Sequence, residues 1–499
     1  MRSRKKMRLW LFLFAILLLA AAISQVFTRH AASKRSHTIH IVLQRSAENS
    51  QDFKLVENEL NRYLAQNEDF QVQFKIVDEK TRETDYMRLL KSAEPIDLIF
   101  GDMASLKKAA NAGLLEPLDS LLQTYGSGIK AVLNKEYLDT GYVDKIRYGL
   151  PTVRDYSSSS CFEYNIDLAE KCGLEMDTVT DLDSLETQLF RLKEADPSII
   201  PVANNHYYGL DALLKIDPVG DDFRYPLAVL QDYGRSPKVV TLSETPEFAD
   251  FINRMYRWHQ NGLLMPDSGT TISAINYIKS GKVLGCFSHY HPGFDIEETR
   301  GSGIKIGCVL LSENYINSFS ANRLFWEIPS KSESKEIAMR FLELMYTDEN
   351  VVRILSYGCE GVHYEYKNSD KTVIGYPSGI NVDNSRYSQF FGWMYGNEML
   401  MPVWDGLPDN LWAQITDYND HSIQSAAINF CFDPTPVEKE INSCEIIMQK
   451  YYFGLITGEL NPEKYLPILQ QGLKEAGIDS ITAEKQKQLN QYLEGGTGA

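Results

Sequence analysis

The sequence contains few cysteines, and they form no pattern that would organise a fold or a metal site. Seven cysteines occur in 499 residues without a C-x-x-C pair, and the nine histidines include no pair spaced four residues apart. No acidic loop carries the glycine of an EF-hand, so we expect neither a metal nor a cofactor. The odd number of cysteines leaves at least one free thiol, and apolar neighbours predict that most are small core residues.

Catalytic motifs and an excess of basic residues are also absent. The chain has no nucleophile motif and no glycine-rich phosphate loop, neither of which a binding protein needs. Lysine and arginine number 50 against 67 aspartate and glutamate residues, which gives a formal net charge of −17. Such a protein repels phosphate backbones and anionic lipid surfaces, so we expect no nucleic-acid partner.

Only the N-terminus departs from the composition of an ordinary globular protein. Five basic residues within residues 1–8 precede an apolar run from Leu9 to Ile23, the pattern of an export signal. Ala20–Ala22 offers a cleavage site. Extended to Phe27, the run has nearly the roughly 20 residues that span a bilayer. Residues 1–36 are therefore predicted to be a cleaved signal peptide or a retained membrane anchor, and both remain open.

The stretch Tyr148–Tyr156 divides the chain that follows. A glycine followed two residues later by a proline resists regular structure, so Leu150–Val153 is predicted to be an extended connector between two lobes. Arg154, Asp155 and Tyr156 follow directly, and their donors, carboxylate and ring suit a polyhydroxylated ligand. A surface loop between two strands is the alternative.

Before this stretch, hydrophobic periodicity predicts an α/β lobe. The predicted elements are strands over 38–43, 70–77 and 96–102 and helices over 53–64, 86–92 and 106–112. Arg45 follows the first strand, and Asp102 ends the third. Ligands of open α/β sheets lie beyond the carboxyl ends of strands, so Asp102 is a candidate contact; an ordinary turn is the alternative.

After this stretch, a second series of helices and strands includes helices from Thr180 and Thr245 and strands over 282–288 and 304–311. Tyr290 follows the strand 282–288 and suits stacking. The strand Leu324–Pro329, which contains Trp326, is predicted to return to the first lobe. Further on, Trp393 lies in an aromatic segment whose alternative role is packing between helices, and the last 60 residues read as polar helices.

Several phrases of the sequence resemble a known family. They include ANAGLLEPLDSLL, RYGLPT, EYNIDLAEKCGLE, FADFINRMYRWHQNGLLMPD, FDPTPVEKEI and NPEKYLPILQQGLKEAGID. Their order and spacing resemble those of the carbohydrate-type extracellular solute-binding proteins of bacterial ABC importers. The resemblance runs from about His37 to Glu494, and it is to a subgroup with a C-terminal region of unknown function. The lipid-attachment cysteine common in that subgroup is missing here.

The resemblance implies a two-lobed, type II periplasmic-binding-protein fold, in which each lobe is a mainly parallel sheet flanked by helices, with a helical C-terminal extension. The implied domains are residues 37–152 with 314–350 as lobe 1, 153–313 as lobe 2, and 351–499 as a region completing lobe 2. Ligand contacts carried over by position are Arg45, Asp102, Arg154, Asp155, Tyr156, Tyr290, Trp326 and Trp393.

The resemblance also implies an exported receptor at the cell surface that captures a sugar or oligosaccharide between its lobes and delivers it to a membrane permease, without catalysis. Three alternatives stay open. With 67 acidic residues the sequence is compatible with the two carboxylates of a surface glycoside hydrolase. A peptide-binding receptor and a sensor or adhesin that acts without a permease are the others.

Overall fold

The computed structural model describes residues 37–45, 51–78, 81–203, 213–220, 223–266, 274–382, 384–387 and 392–495. The predicted export signal or anchor, residues 1–36, lies outside them. Among the helices within these ranges, none combines the length and the apolar character that crossing a membrane requires.

The chain begins with alternating strands and helices, as the sequence predicted. The elements up to the predicted connector are β1 (His37–Arg45), α1 (Phe53–Leu64), β2 (Phe70–Asp78), α2 (Arg82–Lys91), β3 (Ile99–Gly101), α3 (Met103–Asn111), α4 (Asp119–Tyr125), α5 (Ser127–Val132), β4 (Tyr142–Val143), β5 (Ile146–Arg147) and β6 (Gly149–Pro151).

The middle of the chain forms the second series of elements. They are β7 (Ser159–Asn165), α6 (Ile166–Lys171), α7 (Leu182–Ala195), β8 (Ile200–Val202), β9 (Ala228–Leu230), β10 (Val239–Thr241), α8 (Pro246–Gln260), α9 (Ala274–Lys279), β11 (Val283–Tyr290), α10 (Phe294–Ser302) and β12 (Ile306–Leu310).

Short strands and long helices make up the rest. They are β13 (Tyr315–Ile316), α11 (Ser318–Ala321), β14 (Phe325–Glu327), α12 (Lys335–Thr347), α13 (Glu349–Tyr357), β15 (Glu365–Tyr366), β16 (Val373–Gly375), β17 (Val403–Trp404), α14 (Leu411–Asp420), β18 (Ile423–Gln424), α15 (Glu438–Ile456), α16 (Pro462–Ala476) and α17 (Ile478–Gly495).

Two helices of the second lobe begin at the capping residues that the sequence indicated. The side chain of Asp181 accepts a hydrogen bond from the backbone N–H of Ser184 at the start of α7. At α8 the hydroxyl of Thr245 accepts from the N–H of Phe248, and Pro246 occupies the first helical position. Each cap accepts a hydrogen bond from a backbone N–H that would otherwise be unpaired at the start of the helix. These helix boundaries therefore follow from the local sequence.

The first lobe contains a five-stranded arrangement in the order β2, β1, β3, β14, β6. Strands β1 and β2 pair in parallel. The N–H of Val42 donates to the carbonyl oxygen of Leu98, which joins β1 to the start of β3. Strand β14 then inserts between β3 and β6, antiparallel to both. Strand β14, which comes from far along the chain, therefore becomes an inner strand of the first-lobe sheet. The sequence had predicted this return for Leu324–Pro329.

The second lobe contains a four-stranded sheet in the order β12, β7, β11, β8. Strand β11 is parallel to β8, whereas β7 is antiparallel to both of its neighbours. In each lobe the antiparallel strand is the one that follows a passage from the other lobe. The parallel arrangement expected from the strand–helix–strand pattern thus holds away from the passages.

The C-terminal region divides between the two lobes. Residues from Val351 to Ile415 join the hydrophobic core that also contains β1, β3 and β14. Residues from Phe430 to Leu489 join the core of the second sheet. The sequence had assigned the whole of 351–499 to the second lobe. The aromatic residues of its first part explain the difference, because they pack on α12 and α13 of the first lobe.

The passage between the lobes lies slightly beyond the predicted connector. Gly149–Pro151 is strand β6 of the first-lobe sheet, so the chain crosses over residues 152–158. Ser158 pairs with Tyr315, and β13 pairs with β18, which brings three passages side by side. We call Ser158, β13 and β18 the hinge layer. The third passage, through β18, was not predicted.

Buried polar side chains fasten this layer. Asp217, which is fully buried, accepts from the N–H of Val219 at 2.6 Å and from the N–H and hydroxyl of Ser318, both at 2.7 Å. The side-chain carbonyl oxygen of Asn419 accepts from the N–H groups of Tyr156 at 3.0 Å and Ser157 at 2.9 Å. Since buried polar groups are costly when unpaired, these bonds fix the relative positions of the three passages.

Candidate ligand-binding site

Two predicted contacts follow strands of the first lobe. Arg45 is the last residue of β1, and its side chain lies outside the described part of the chain. Asp102 caps α3, since its carboxylate accepts from the N–H of Ser105 at 2.8 Å. Its other oxygen lies 3.9 Å from a guanidinium nitrogen of Arg82. The carboxylate is partly exposed, but its hydrogen bond gives it a capping role at this strand end, the alternative stated from the sequence.

Arg154 and Tyr156 hold the first passage rather than face a ligand. The guanidinium of Arg154 donates to the carbonyl oxygens of Asp155 at 2.7 Å and Ser320 at 2.8 Å. It also lies 4.6 Å from the ring centre of Tyr156. Tyr156 is 3% exposed, and its hydroxyl donates to the carbonyl oxygen of Thr152. Tyr156 is buried, and Arg154 is nearly buried with both of its terminal nitrogens donating to backbone carbonyl oxygens, so the prediction that both contact a ligand is corrected.

Trp326 is likewise a core residue. Its side chain has no solvent-exposed surface, and its indole N–H donates to the carbonyl oxygen of Met394 at 2.7 Å. The ring packs edge-on against Phe100 at 5.5 Å. Strand β14 lies inside the first-lobe sheet with both faces covered, so its middle residue cannot reach a ligand. This part of the site prediction is also corrected.

Asp155, between Arg154 and Tyr156, faces an acidic recess. We define the acidic recess by Asp155, His291, Glu297 and Glu398. The Nε2 atom of His291 lies 4.0 Å from a carboxylate oxygen of Asp155 and 3.7 Å from one of Glu297. The side chains of Asp155, Glu297 and His291 are 33%, 32% and 20% exposed, although protein surrounds the recess on most sides. Solvent therefore reaches the floor of a crevice.

The recess takes residues from both lobes and from the passage between them. Asp155 lies on the first passage, His291 follows β11, and Glu297 is on α10. Glu398 belongs to the first-lobe core region, and its N–H donates to the carbonyl oxygen of Val153 at 2.9 Å. Movement of one lobe relative to the other would therefore change the shape of the recess.

The electrostatics of the recess are those of clustered carboxylates. Burial raises the pKa of Glu297, and the neighbouring Asp155 adds to this effect. Burial, Asp155 and Glu297 together raise the pKa of Glu398 well above its usual value. Burial alone would lower the pKa of His291, but Asp155 and Glu297 outweigh it and raise this pKa. Negatively charged neighbours disfavour the ionised form of an acid and favour the ionised form of a base.

The protonation of His291 follows from its hydrogen bond. Its Nδ1 atom lies 3.1 Å from the carbonyl oxygen of Pro292, which only accepts, so Nδ1 carries a hydrogen. Nε2 then points towards the two carboxylates and is protonated in the imidazolium form. At 3.7 Å and 4.0 Å the separations are longer than hydrogen bonds, so the two acids keep acceptor capacity for a ligand hydroxyl.

Two aromatic residues lie close in the chain to residues of the acidic recess, Tyr290 directly before His291 and Trp393 shortly before Glu398. Tyr290, next to His291, is half-buried and packs edge-on against Tyr418 at 6.3 Å. Trp393 is also half-buried, and the guanidinium of Arg323 lies 5.7 Å from its ring. A partly exposed ring beside hydrogen-bond acceptors is the combination that a sugar needs. Of the predicted contacts, the structure therefore places Asp155, Tyr290 and Trp393 in or beside the recess.

Sequence reasoning did not select His291, Glu297, Glu398 or Arg323. His291 directly follows Tyr290, which the sequence had marked as suited to stacking, and this was the one available signal. The glutamates stand in no motif, since their partners come from distant parts of the chain. Among the described residues no group of three or more His, Cys, Asp and Glu side chains is arranged to hold a metal ion. Six of the seven cysteines are free thiols, namely Cys161, Cys172, Cys286, Cys308, Cys359 and Cys444.

Comparison with known proteins supports the predicted family resemblance. The family model of a domain of unknown function, DUF3502, matches residues 426–494, from just after β18 through the three C-terminal helices. A protein of Streptococcus pneumoniae named carbohydrate ABC transporter substrate-binding protein is 25% identical over 430 residues, 81% of each chain. The resemblance that the sequence indicated is thereby confirmed.

Solved structures confirm the fold. The N-glycan transport solute binding protein NgtS of Streptococcus pneumoniae superposes with a TM-score of 0.82 at 20% identity, covering 92% of this chain and 99% of that one. For NgtS in complex with Man1GlcNAc and with Man5GlcNAc the TM-scores are 0.75 and 0.72. The alginate-binding protein AlgQ2 gives 0.62 at 15% identity, covering 91% and 98%. The chain thus has the two-lobed fold of solute-binding proteins.

Proposed function

We propose that this protein is the extracytoplasmic solute-binding receptor of an ABC importer, which captures a sugar or oligosaccharide between its lobes and delivers it to the permease. One observation carries the proposal. The acidic recess brings carboxyl groups from both lobes and the passage together at a solvent-accessible position, and the partly exposed rings of Tyr290 and Trp393 lie close to it in the chain.

The chemistry of the recess fits a polyhydroxylated ligand. Each ring hydroxyl of a sugar donates one hydrogen bond and accepts others, and carboxylates are the strongest acceptors among side chains. The weakly polarised C–H face of a sugar ring packs on aromatic rings. The relatives support this assignment, because their names and titles specify carbohydrate, N-glycan fragments and alginate.

A hydrolase is the second candidate, since clustered carboxylates are also the equipment of glycoside hydrolases. The relatives are named as binding proteins, in agreement with the expectation that this chain is not an enzyme. A receptor needs acceptors that hold a ligand without reacting, and the carboxyl oxygens of Asp155 and Glu297 suit that role.

The comparison with NgtS also supports movement of the lobes. The TM-score is highest for the structure titled without a ligand and falls for those titled as complexes, so this chain shares more of its shape with the former. We propose that the described arrangement is the open one, and that ligand closes the lobes by rotation about the hinge layer.

The test is a thermal-shift screen across sugars, oligosaccharides and short peptides, followed by calorimetry and mass spectrometry of the incubated ligand. We expect an oligosaccharide to raise the melting temperature and to be recovered intact. Small-angle scattering with that ligand should give a smaller radius of gyration. Shorter products would identify a hydrolase, and stabilisation by peptides alone would identify a peptide receptor.

The name of the relative as an ABC transporter substrate-binding protein supports a location outside the cytoplasm. We propose that residues 1–36 direct export and either remain as a membrane anchor or are cleaved near Ala22. Membrane fractionation followed by N-terminal sequencing of the mature protein decides between them. A soluble product that starts near Ile23 would exclude the anchor, and a membrane-bound product with an intact N-terminus would establish it.

A further inference from the structure

The exposed side chain of Arg323 lies against aromatic rings but leaves its hydrogen-bond donors free. Its guanidinium is 5.8 Å from the ring centre of Phe319 and 5.7 Å from that of Trp393. In the part of the chain that the structure describes, this guanidinium makes no hydrogen bond and no ion pair. By contrast, Arg147 lies over the ring of Tyr142 and also donates to a backbone carbonyl oxygen at 2.8 Å. Arg323 therefore has donors available for a ligand.

The rings around Arg323 come from both lobes and from the second passage. Trp393 packs against the first-lobe core, and Phe223 packs against the core of the second sheet. Phe319 lies on α11 between them and meets Phe223 edge-on at 5.5 Å. All three rings are partly exposed. We call Arg323 together with Phe223, Phe319 and Trp393 the arginine platform.

The arginine platform lies on the ligand side of the second sheet. Burial lowers the pKa of His289 to about 4, and the charge of Arg323 adds to this effect. Arg323 is therefore close to the carboxyl end of β11, the strand that also contains Tyr290 and leads directly to His291. Since ligands of α/β lobes lie beyond the carboxyl ends of strands, the free donors of Arg323 stand where a ligand is expected.

Arg154 connects the arginine platform to the acidic recess. Its guanidinium donates to the carbonyl oxygen of Asp155 at 2.7 Å and to that of Ser320 at 2.8 Å. Asp155 belongs to the recess, and Ser320 directly follows Phe319 of the platform. The two groups are therefore neighbouring but distinct positions at the passages. One presents carboxyl oxygens, and the other presents guanidinium donors and ring faces.

We propose that the arginine platform is a second glycan subsite, where a sugar ring packs its C–H face on the exposed rings and its hydroxyl or carbonyl oxygens accept hydrogen bonds from Arg323. The inference rests on the proposed function and deepens it: the ligand is an oligosaccharide whose residues occupy the recess and the platform together. The chemistry fits, because a guanidinium only donates and sugar rings pack on aromatic rings. Since the rings already hold the guanidinium, little side-chain freedom is lost on binding.

The experiment measures affinity and stability on the same variants. The probes are cellotriose, β-1,4-mannotriose and triacetylchitotriose, and calorimetry uses the one that most raises the melting temperature of the wild type. Arg323→Gln should weaken its binding about ten- to a hundredfold, because a charged hydrogen bond is lost. Arg323→Lys keeps the charge without the planar donors and should stay at least about fivefold weaker than wild type. The melting temperature of both ligand-free variants should hardly change, because the side chain is exposed.

Double variants test which residues share one sugar ring. Arg323→Gln and Phe319→Ala should be non-additive, because both remove contacts with the same ring. Arg323→Gln and Asp155→Asn should be additive, because they act on different rings of the ligand. The control Arg191→Gln removes an exposed arginine of α7 that pairs with Glu175, and it should leave affinity unchanged. The monosaccharide of the chosen probe should bind at least about tenfold more weakly than the trisaccharide, because it fills one position only.

The outcomes separate this inference from the proposed function. Wild-type binding of a trisaccharide with unchanged affinity in Arg323→Gln overturns the platform and leaves the receptor function intact. Full affinity in Arg323→Lys overturns the role of the planar donors. Equal affinity for the trisaccharide and its monosaccharide overturns the joint occupation of recess and platform. If the wild type binds none of the three trisaccharides, the glycan receptor itself is contradicted and the platform with it.

Discussion

The hinge layer and the acidic recess are neighbours that contain the same kinds of side chain. They differ in how many hydrogen-bond partners the acidic side chains have. Next to the hinge layer, fully buried Asp217 has three donors within 2.7 Å. In the recess, Asp155 has its nearest cation at 3.7 Å and keeps 33% of its side chain exposed. A saturated acid fixes a structure, whereas an unsaturated acid at a solvent-accessible position keeps bonding capacity for something else.

The comparison shows that residues next to each other in the chain have different roles, some holding the passage and others facing the recess. Arg154 and Tyr156 are committed to the first passage, while Asp155 between them faces the recess. Since a chain in extended geometry points successive side chains in opposite directions, such alternation is expected of a passage that also lines a site. The predictions below test the two roles, beginning with the hinge layer.

The largest effect is expected from Asp217→Ala. The change leaves the N–H of Val219 and the N–H and hydroxyl of Ser318 without their acceptor in a buried place. Each unsatisfied group costs about 1–3 kcal/mol, so the free energy of unfolding should fall by about 3 kcal/mol or more. Urea unfolding measures it. The control Asp250→Ala, at an exposed position of α8, should change the free energy of unfolding by less than about 0.5 kcal/mol. An equal loss of stability in both variants would show that Asp217 has no special structural role.

Glu163 is a buried acid whose hydrogen bonding is incomplete, intermediate between the two regions. The thiol of Cys286 donates to one carboxyl oxygen at 2.8 Å, while the other oxygen has no partner among the described residues. Burial, with a contribution from Glu298, raises the pKa of Glu163 to about 7. The folded state therefore holds this proton more tightly than the unfolded state, whose carboxyl has its ordinary pKa of about 4.5.

The sign of the pH dependence follows. The stabilisation from the protonated carboxyl is present below the unfolded pKa and is lost as pH rises through the folded pKa. Glu163→Gln removes this titration, so the stability of the variant relative to wild type should rise by about 2–3 kcal/mol between pH 5 and pH 8. Urea unfolding of both proteins at the two pH values measures the change. A pH-independent difference would mean that Glu163 ionises in the fold as freely as it does in the unfolded chain.

Asp155→Asn tests the recess side of the comparison. The change keeps volume and removes a charged acceptor, so affinity for a confirmed glycan should fall roughly ten- to a hundredfold, corresponding to about 1.5–3 kcal/mol. The melting temperature of the ligand-free protein should hardly move, because no strong hydrogen bond is lost. Calorimetry and thermal unfolding give the two readouts. Unchanged affinity with a melting point several degrees lower would place Asp155 with the hinge layer.

The sequence predicted the features that depend on neighbouring residues. Hydrophobic periodicity located the strands and helices of the first lobe, and the caps at Asp181 and Thr245 marked two helix starts. The strand around Trp326 was correctly expected to return to the first-lobe sheet. Each of these signals lies within a few residues, where propensity and capping act.

The sequence did not predict the features that depend on packing between distant segments. Whether Trp326 faces a ligand or the core is decided by strands on both sides of β14, which come from two other parts of the chain. The partners of Asp155 lie on α10 and in the segment before β17, so no local pattern marks them. The third passage was missed because β18 is a two-residue strand, too short to produce periodicity.

The smallest effect is expected from Trp393→Ala, and Trp326→Ala provides the contrast of a fully buried tryptophan. Trp393→Ala removes a half-buried ring beside the recess, and loss of stacking should weaken glycan binding about tenfold or less, corresponding to about 0.5–1.5 kcal/mol. Trp326 is fully buried, so Trp326→Ala should instead lower the free energy of unfolding by about 3–5 kcal/mol. Calorimetry and urea unfolding on both variants separate affinity from stability. If Trp393→Ala binds as tightly as wild type and melts at a lower temperature, its ring serves the same packing role as that of Trp326, and Tyr290 remains as the aromatic contact of the site.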